Sequence, residues 1–200
     1  MGAVVAIKSN DRVYIATDRM KQRLDFYWRT KSEFNFKIHK LKNGIIVGAV
    51  GPLVQAQRLF LNESWFNPPK GVPFDKRFIA TSIIPKYVDF LEEFNVLEKG
   101  DGDEADYPHI EGSFIIVNGT DVFVIDSKLG VYIMKDVAII ATDGQGEVFE
   151  SLELVLDKSD PERFLTDIFE RASQTLGDMV PEIVLTDTVN TEFRFSGGSK

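Results

Sequence analysis

The order in which strand-like and helical patterns follow one another constrains the fold of this chain more than any single motif. Strand-type runs occupy the first 50 residues and return at residues 113–142, and each block is followed by two helical segments. These segments lie at about residues 53–60, 75–94, 148–156 and 160–172, and two final strands follow at 183–186 and 192–195. Segregated blocks favour an α+β fold over alternating βαβ units. We therefore predict two antiparallel sheets between two helix layers, a four-layer αββα sandwich.

Local signals predict several turns and helix ends within these blocks. Val4–Ile7 and Val13–Thr17 flank an Asn-Asp turn, which predicts a hairpin at the start of the chain. Asn43-Gly44 is the strongest short hairpin signal, between strands at residues 36–41 and 45–50. Asp160 precedes a proline and a glutamate and predicts the start of the last helix. Residues 98–111 carry many acidic side chains and are expected to form a flexible loop.

The length and the absence of cysteine limit the kinds of site that the chain can contain. Its 200 residues suit one domain, which we place at residues 1–195 with a flexible tail at residues 196–200. The absence of Cys excludes disulfides, thiolate zinc sites and a cysteine nucleophile. His39 and His109 have no partners at metal-ligand spacing. We therefore expect no metal and no cofactor.

The charge of the chain argues against nucleic-acid and membrane partners. The formal net charge is −8, whereas binding to nucleic acid or to an anionic membrane requires a basic surface. No apolar run approaches the length of about 20 residues that spans a bilayer. Polar residues after Ile7 interrupt the N-terminal apolar run too early for a signal peptide. These features predict a cytoplasmic protein.

Four segments of the chain resemble the proteasome β-subunit and HslV-type peptidases, a family of N-terminal nucleophile hydrolases. The segments follow the order and spacing of the family's opening hairpin, its lysine-bearing strand, its glycine-containing strand and its Gly-Ser-Gly turn. They are residues 4–18, 35–41, 45–51 and 141–146. Residues 176–179 resemble the HslV branch near its last helix. The resemblance covers nearly the whole chain and implies the same four-layer fold.

In that family an N-terminal threonine supplies the nucleophile for amide hydrolysis. Its hydroxyl attacks the carbonyl, and its own α-amine serves as the general base, since an α-amine titrates at about 7.7–8.0. A nearby lysine ammonium keeps the amine unprotonated, an aspartate orients the lysine, and a backbone N–H binds the oxyanion. With the serine of the Gly-Ser-Gly turn, the resemblance thus implies a site of five positions, whose residues can be compared with this chain one by one.

The chain matches three of these five positions. Asp18 matches the orienting aspartate, Lys37 matches the lysine, and Gly48 matches the glycine whose N–H binds the oxyanion. Gly2 stands at the position of the nucleophile and has no hydroxyl. Gln145 stands at the position of the family's serine. The resemblance therefore implies a site without its nucleophile.

The same residues also admit structural interpretations. Asp18 and Lys37 could form an ordinary ion pair that ties two strands together. Gly48 and Gly51 could serve only close packing or a tight strand end. Thr17, a candidate substitute hydroxyl, is not N-terminal, and we interpret it as a strand residue. The sequence alone leaves the catalytic and structural interpretations open.

Three functions are compatible with these observations. The first is a ring-forming subunit that has lost peptidase activity and acts as a scaffold or binding module. The second is an active threonine-type peptidase whose native N-terminus differs from Met1-Gly2. The third is a non-peptidase that binds a ligand in the same pocket.

Oligomerisation is a separate expectation. The resemblance implies a homo-oligomeric ring, with stacking of two rings and an ATPase partner as further expectations. Aromatic residues are enriched in interface cores, and two aromatic stretches, Phe26-Tyr27-Trp28 and Trp65-Phe66, are candidates for such contacts.

Overall fold

The computed structural model describes most of the chain. The described residues are 2–18, 37–51, 55, 59–94, 98–99, 108–142, 144–177, 179, 183–190 and 192–196. The predicted aromatic contact at residues 26–28, the centre of the acidic loop at 100–107 and residues 197–200 of the predicted tail lie outside them. Ser196, which we assigned to the tail, belongs to the last strand and pairs with Ile183.

Strands and helices occur in the predicted order within the described residues. The strands are β1 (Ala3–Ser9), β2 (Arg12–Asp18), β3 (Ile38–Lys40), β4 (Ile46–Val50), β5 (Glu98–Lys99), β6 (Pro108–His109), β7 (Ser113–Asn118), β8 (Asp121–Ile125), β9 (Val131–Met134), β10 (Val137–Ala141), β11 (Ile183–Asp187) and β12 (Arg194–Ser196). The helices are α1 (residues 76–93), α2 (Gly146–Val155) and α3 (Pro161–Leu176). Residues 59–61 are also helical, and a 3₁₀ turn follows at Glu63–Phe66.

The large strands form two antiparallel sheets of five strands each. The first sheet has the order β10-β1-β2-β11-β12, and the second has the order β3-β4-β7-β8-β9. The two N-terminal hairpins, β1-β2 and β3-β4, are therefore divided between the sheets. Strands β5 and β6 form a separate two-stranded sheet.

Three apolar clusters separate four layers. Val4 and Ala6 of β1 face the second sheet and pack with residues such as Ile46 and Ile115. Alternate residues of the same strand, including Val5, face α2 and α3. On the far side of the second sheet, a third cluster joins that sheet to α1. This arrangement confirms the predicted αββα sandwich.

Helix ends and turns follow their local signals. The Asp160 carboxylate accepts hydrogen bonds from the backbone N–H groups of Glu162 and Arg163, each at 3.1 Å, and so caps α3. Gly44 adopts φ +88° in the turn between β3 and β4, a conformation that favours glycine. In α1, a π-helical turn at Ile79–Ile83 immediately precedes Pro85, which cannot donate a backbone hydrogen bond. Pro85 thus coincides with a local change of helix type.

One predicted interface residue belongs to the apolar core of its own chain. Phe66 is fully buried, and Trp65 packs against the same cluster and against Phe90. The prediction that Phe66 contacts a neighbouring subunit is therefore wrong, because its side chain is enclosed by the 3₁₀ turn and α1.

Candidate functional site

Asp18 and Lys37 form a nearly buried ion pair at one end of the two sheets. Asp18 ends β2 in the first sheet, and Lys37 directly precedes β3 in the second. The Lys37 Nζ lies 2.6 Å from Asp18 Oδ2, and the two side chains are 12% and 6% exposed. The other carboxylate oxygen of Asp18 accepts the backbone N–H of Ala3 at 2.9 Å. The pair therefore links the two sheets and is fixed to the first residues of β1.

Gly2 lies directly against this ion pair. A Cβ atom built on Gly2 would lie 1.9 Å from Lys37 Nζ and 2.8 Å from both Lys37 Cε and Asp18 Oδ1. Real Cβ atoms do not approach other heavy atoms this closely, so the Lys37 ammonium occupies the position that a residue-2 side chain would need. The structure thus brings together Gly2, Asp18 and Lys37, and it leaves no space for a side chain at residue 2 as the site stands.

A threonine that we did not single out from the sequence holds the other side of Gly2. The Gly2 N–H donates to Thr142 Oγ1 at 3.2 Å, and the Thr142 N–H donates to the Gly2 carbonyl at 3.0 Å. The Thr142 hydroxyl in turn donates to Gln145 Oε1 at 3.0 Å. Gln145 is buried at the start of α2, so it acts on residue 2 through Thr142.

Gly48 lies in the middle of β4, where its N–H takes part in the hydrogen bonding between strands. The neighbouring Ala49 N–H donates to the Lys37 carbonyl at 2.7 Å, toward the β3 side. Successive N–H groups of a strand point in opposite directions, so the Gly48 N–H points toward Ile115, its partner in β7. An oxyanion donor must be free to face the reacting atom. The geometry of Gly48 therefore does not supply the donor that the resemblance implied.

Gly48 in this strand and Gly51 just after it instead allow neighbouring segments to pack closely. A Cβ on Gly48 would lie 2.7 Å from Val4 Cγ1, so the absence of a side chain lets the two sheets approach each other. Gly51 follows β4 with φ +130°, and its added Cβ would meet the Gly112 Cα at 2.6 Å. These contacts support the structural interpretation of both glycines.

Other candidates from the sequence are held by ordinary contacts. The buried Thr17 hydroxyl donates to the Ala3 carbonyl at 2.7 Å, as suits a strand residue. His39 stacks on Phe60 with ring centroids 5.5 Å apart. Among the described residues, no group of three or more His, Asp or Glu side chains could hold a metal ion. No helix in the described part of the chain is long and apolar enough to cross a membrane.

Comparison with solved structures decides the fold. The chain superposes on BPH of Thiobacillus denitrificans with a TM-score of 0.67 and 13% identity, over 92% of this chain and 96% of that one. A second BPH structure, in complex with epoxomicin, gives a TM-score of 0.65 at 12% identity, over 92% and 97% of the chains. Eukaryotic HslV from Trypanosoma brucei gives 0.58 at 12% identity, over 92% and 98%. The chain has the HslV fold.

This result confirms the four-layer fold that the sequence resemblance implied. No protein-family model matches the sequence. No curated protein sequence matches it either. At 12–13% identity the solved structures show the fold alone, and what the site does must be argued from its own residues.

Proposed function

We propose that this protein is a ring-forming subunit of the proteasome and HslV type that does not hydrolyse peptides. One observation carries the proposal: the Lys37 ammonium occupies the position of a residue-2 side chain, and residue 2 is a glycine. Hydrolysis by an N-terminal nucleophile requires a hydroxyl on that side chain. The site keeps a charged pair but presents no nucleophile at residue 2.

The remaining contacts support a structural role for the pair. Asp18 uses one oxygen for Lys37 and the other for the Ala3 N–H, so its two oxygens hold separate segments. Removing one partner of a buried ion pair leaves an uncompensated charge and destabilises a protein by about 3–5 kcal/mol. Retention of Asp18 and Lys37 is therefore explained without catalysis.

Surface apolar residues support the proposed oligomer. Leu154 and Val155 at the end of α2 are 80% and 72% exposed, and Tyr132 and Ile133 lie exposed on the edge strand β9. Neighbouring exposed apolar side chains mark contact surfaces more often than isolated ones do. We propose a homo-oligomeric cytoplasmic ring, with a second stacked ring and an ATPase as further partners. Light scattering tests the assembly, and a mass that remains at 22.6 kDa would contradict it.

An active threonine-type peptidase is the second candidate. It is favoured by the short Asp18–Lys37 contact beside residue 2, since that is where the family mechanism places these groups. It requires that the native N-terminus supply a hydroxyl in place of Gly2.

Hydrolysis of fluorogenic peptides by the assembled protein separates the two candidates. We expect wild type and Lys37→Ala to release fluorophore at the same background rate. A wild-type activity that is lost in Lys37→Ala would overturn the non-proteolytic proposal. Lys40→Ala is the matched control, because Lys40 lies in the same strand region but its ammonium binds the Asn190 carbonyl.

A further inference from the structure

We propose that β9, the edge strand of the second sheet, pairs with β9 of a second copy of this chain in an antiparallel arrangement, with the two-fold axis at Tyr132. The inference rests on the homo-oligomer proposed above and names one of its contacts. It requires neither a ring nor the absence of peptidase activity, because a two-fold contact joins two single subunits or two rings equally well.

The outer side of β9 presents backbone groups that its own sheet does not use. In the part of the chain that the structure describes, the second sheet ends at β9. The Asp126 N–H donates to the Gly130 carbonyl at 3.1 Å just before this strand, and the same register continues along it. Antiparallel strands exchange hydrogen bonds at every second residue, so Tyr132 bonds to β8, and the N–H and C=O groups of Val131 and Ile133 point away from it.

This edge is a template for another strand, and a second copy of β9 matches it. A two-fold axis at Tyr132 places Val131 of one copy opposite Ile133 of the other, so that their outward groups exchange hydrogen bonds in both directions. The two Tyr132 residues then form a non-hydrogen-bonded pair, in which the side chains approach most closely. Tyr132 and Ile133 are large and exposed, and the contact covers both of them.

Charges just beyond the two ends of β9 favour this register. Lys128 and Asp136 are exposed and lie four residues before and four residues after Tyr132. The two-fold axis at Tyr132 therefore brings Lys128 of each copy opposite Asp136 of the other, and opposite charges across an antiparallel pair stabilise it. An axis at Ile133 also matches the outward hydrogen-bonding groups, but it places Asp136 opposite Gly130 and forms neither ion pair.

Single-cysteine cross-linking tests the register, because the chain contains no other cysteine. Under mild oxidation with copper phenanthroline, Tyr132→Cys should form a disulfide-linked dimer, since the two thiols face each other across the axis. Ile133→Cys should cross-link at least about tenfold more slowly, because its two copies are diagonal neighbours about 7–8 Å apart. Val189→Cys is the matched control, since Val189 is similarly exposed but follows β11 in the other sheet.

The mass in solution tests whether the edge groups hold the contact. Ile133→Pro removes an outward N–H without removing a hydrogen bond to β8, and it should halve the mass measured by light scattering. Ile133→Ala loses the same side chain but keeps the N–H, and it should retain the wild-type mass.

Charge reversal tests the two ion pairs and replaces Ile133→Pro if that variant does not fold. Lys128→Asp and Asp136→Lys should each weaken the two-fold contact about tenfold in sedimentation equilibrium, because both symmetric pairs become repulsive. The double variant should restore the wild-type affinity. Lys86→Asp, on the exposed surface of α1, controls for the change in net charge and should have no effect.

Three results would overturn the inference. They are cross-linking of Tyr132→Cys no faster than that of Ile133→Cys or Val189→Cys, an unchanged mass in Ile133→Pro, and a double charge reversal that restores nothing. A wild-type ring whose mass Ile133→Pro leaves unchanged overturns this inference and leaves the proposed function intact. A wild-type dimer of twice 22.6 kDa that Ile133→Pro converts to a monomer supports this inference and contradicts the ring.

Discussion

Adding one methyl group at residue 2 should disturb the ion pair far more than its size suggests. In Gly2→Ala, the new Cβ lies 1.9 Å from Lys37 Nζ, so either the ammonium or the N-terminal residue must move. The ammonium is at the end of a flexible side chain and is the group that yields. Its movement breaks the 2.6 Å contact with Asp18, which is almost completely buried.

The size of the expected loss of stability depends on the contacts that Asp18 keeps when the Lys37 ammonium moves. Removing one partner of a buried pair costs about 3–5 kcal/mol, but here Lys37 is displaced rather than deleted and can reach water. Asp18 also keeps its hydrogen bond from the Ala3 N–H. Restricting the unfolded chain by replacing glycine with alanine returns about 0.4–1 kcal/mol. We therefore expect Gly2→Ala to lower the free energy of unfolding by about 2 kcal/mol.

Urea and thermal unfolding at one fixed protein concentration measure this loss. A change of about 2 kcal/mol corresponds to a fall in Tm of roughly 4–8 °C for a domain of this size. Gly146→Ala is the matched control, because a Cβ there has no neighbour within 4 Å at the start of α2. That variant should match the wild type or exceed its stability by up to about 1 kcal/mol.

A double-mutant cycle assigns the loss to Lys37. Because the closest clash is with the lysine side chain, Gly2→Ala should cost clearly less when Lys37 is already alanine, where only the 2.8 Å approach to Asp18 Oδ1 remains. Equal costs in both backgrounds, or a Gly2→Ala variant as stable as the wild type, would refute the reasoning.

Three further predictions concern the cap of α3, the buried carboxylate of Asp187 and the missing nucleophile at residue 2. Asp160→Ala should lower the free energy of unfolding by about 0.5–2 kcal/mol, measured by urea denaturation, because two N–H groups lose their acceptor. Burial opposes ionisation of Asp187, but hydrogen bonds from Asn190 and Val189 together with the charge of Arg194 outweigh it and lower the pKa of Asp187 below its usual 3.8. The stability that this carboxylate contributes is present above that value and is lost as the pH falls through the native pKa, so the stability gap between wild type and Asp187→Asn should narrow in acid. Gly2→Thr, in a chain that begins at residue 2, should regain only part of a peptidase's activity toward fluorogenic peptides, since the new side chain must displace Lys37.

Each of these predictions has a distinct contrary result. An Asp160→Ala variant with unchanged urea midpoint would show that the cap does not stabilise α3. A stability gap for Asp187→Asn that is constant from neutral pH to pH 3 would contradict the depressed pKa. Full peptidase activity in Gly2→Thr would show that the new side chain displaces Lys37 without any loss of activity.

The sequence predicts those parts of the fold that depend on nearby residues. Asn43-Gly44 and the cap at Asp160 act within a few positions, and both features occur where expected. The division of the N-terminal hairpins between two sheets is different. Residues 3–7 are all buried, because β1 is covered by the second sheet on one face and by helices on the other. A strand buried on both faces shows no alternation, so the sequence cannot indicate its neighbours.

The same limit applies to predicting the candidate site from the sequence. Resemblance to a family placed Asp18 and Lys37 beside Gly2, and the structure brings these three together. Thr142 was missed because it reaches residue 2 through the pairing of Ala3 with Ala141, a contact between distant segments. The direction of the Gly48 N–H likewise depends on which strands flank β4. Neither can be derived from spacing along the chain.

Intact mass spectrometry after incubation with epoxomicin tests the central claim most directly. BPH, which shares this fold and has been solved in complex with epoxomicin, is incubated in parallel for comparison. Because Gly2 offers no hydroxyl and Lys37 fills the space beside it, we predict that the mass of the assembled wild-type chain does not change. A mass increase of one inhibitor per subunit, mapped to the peptide that contains residue 2, would contradict the account.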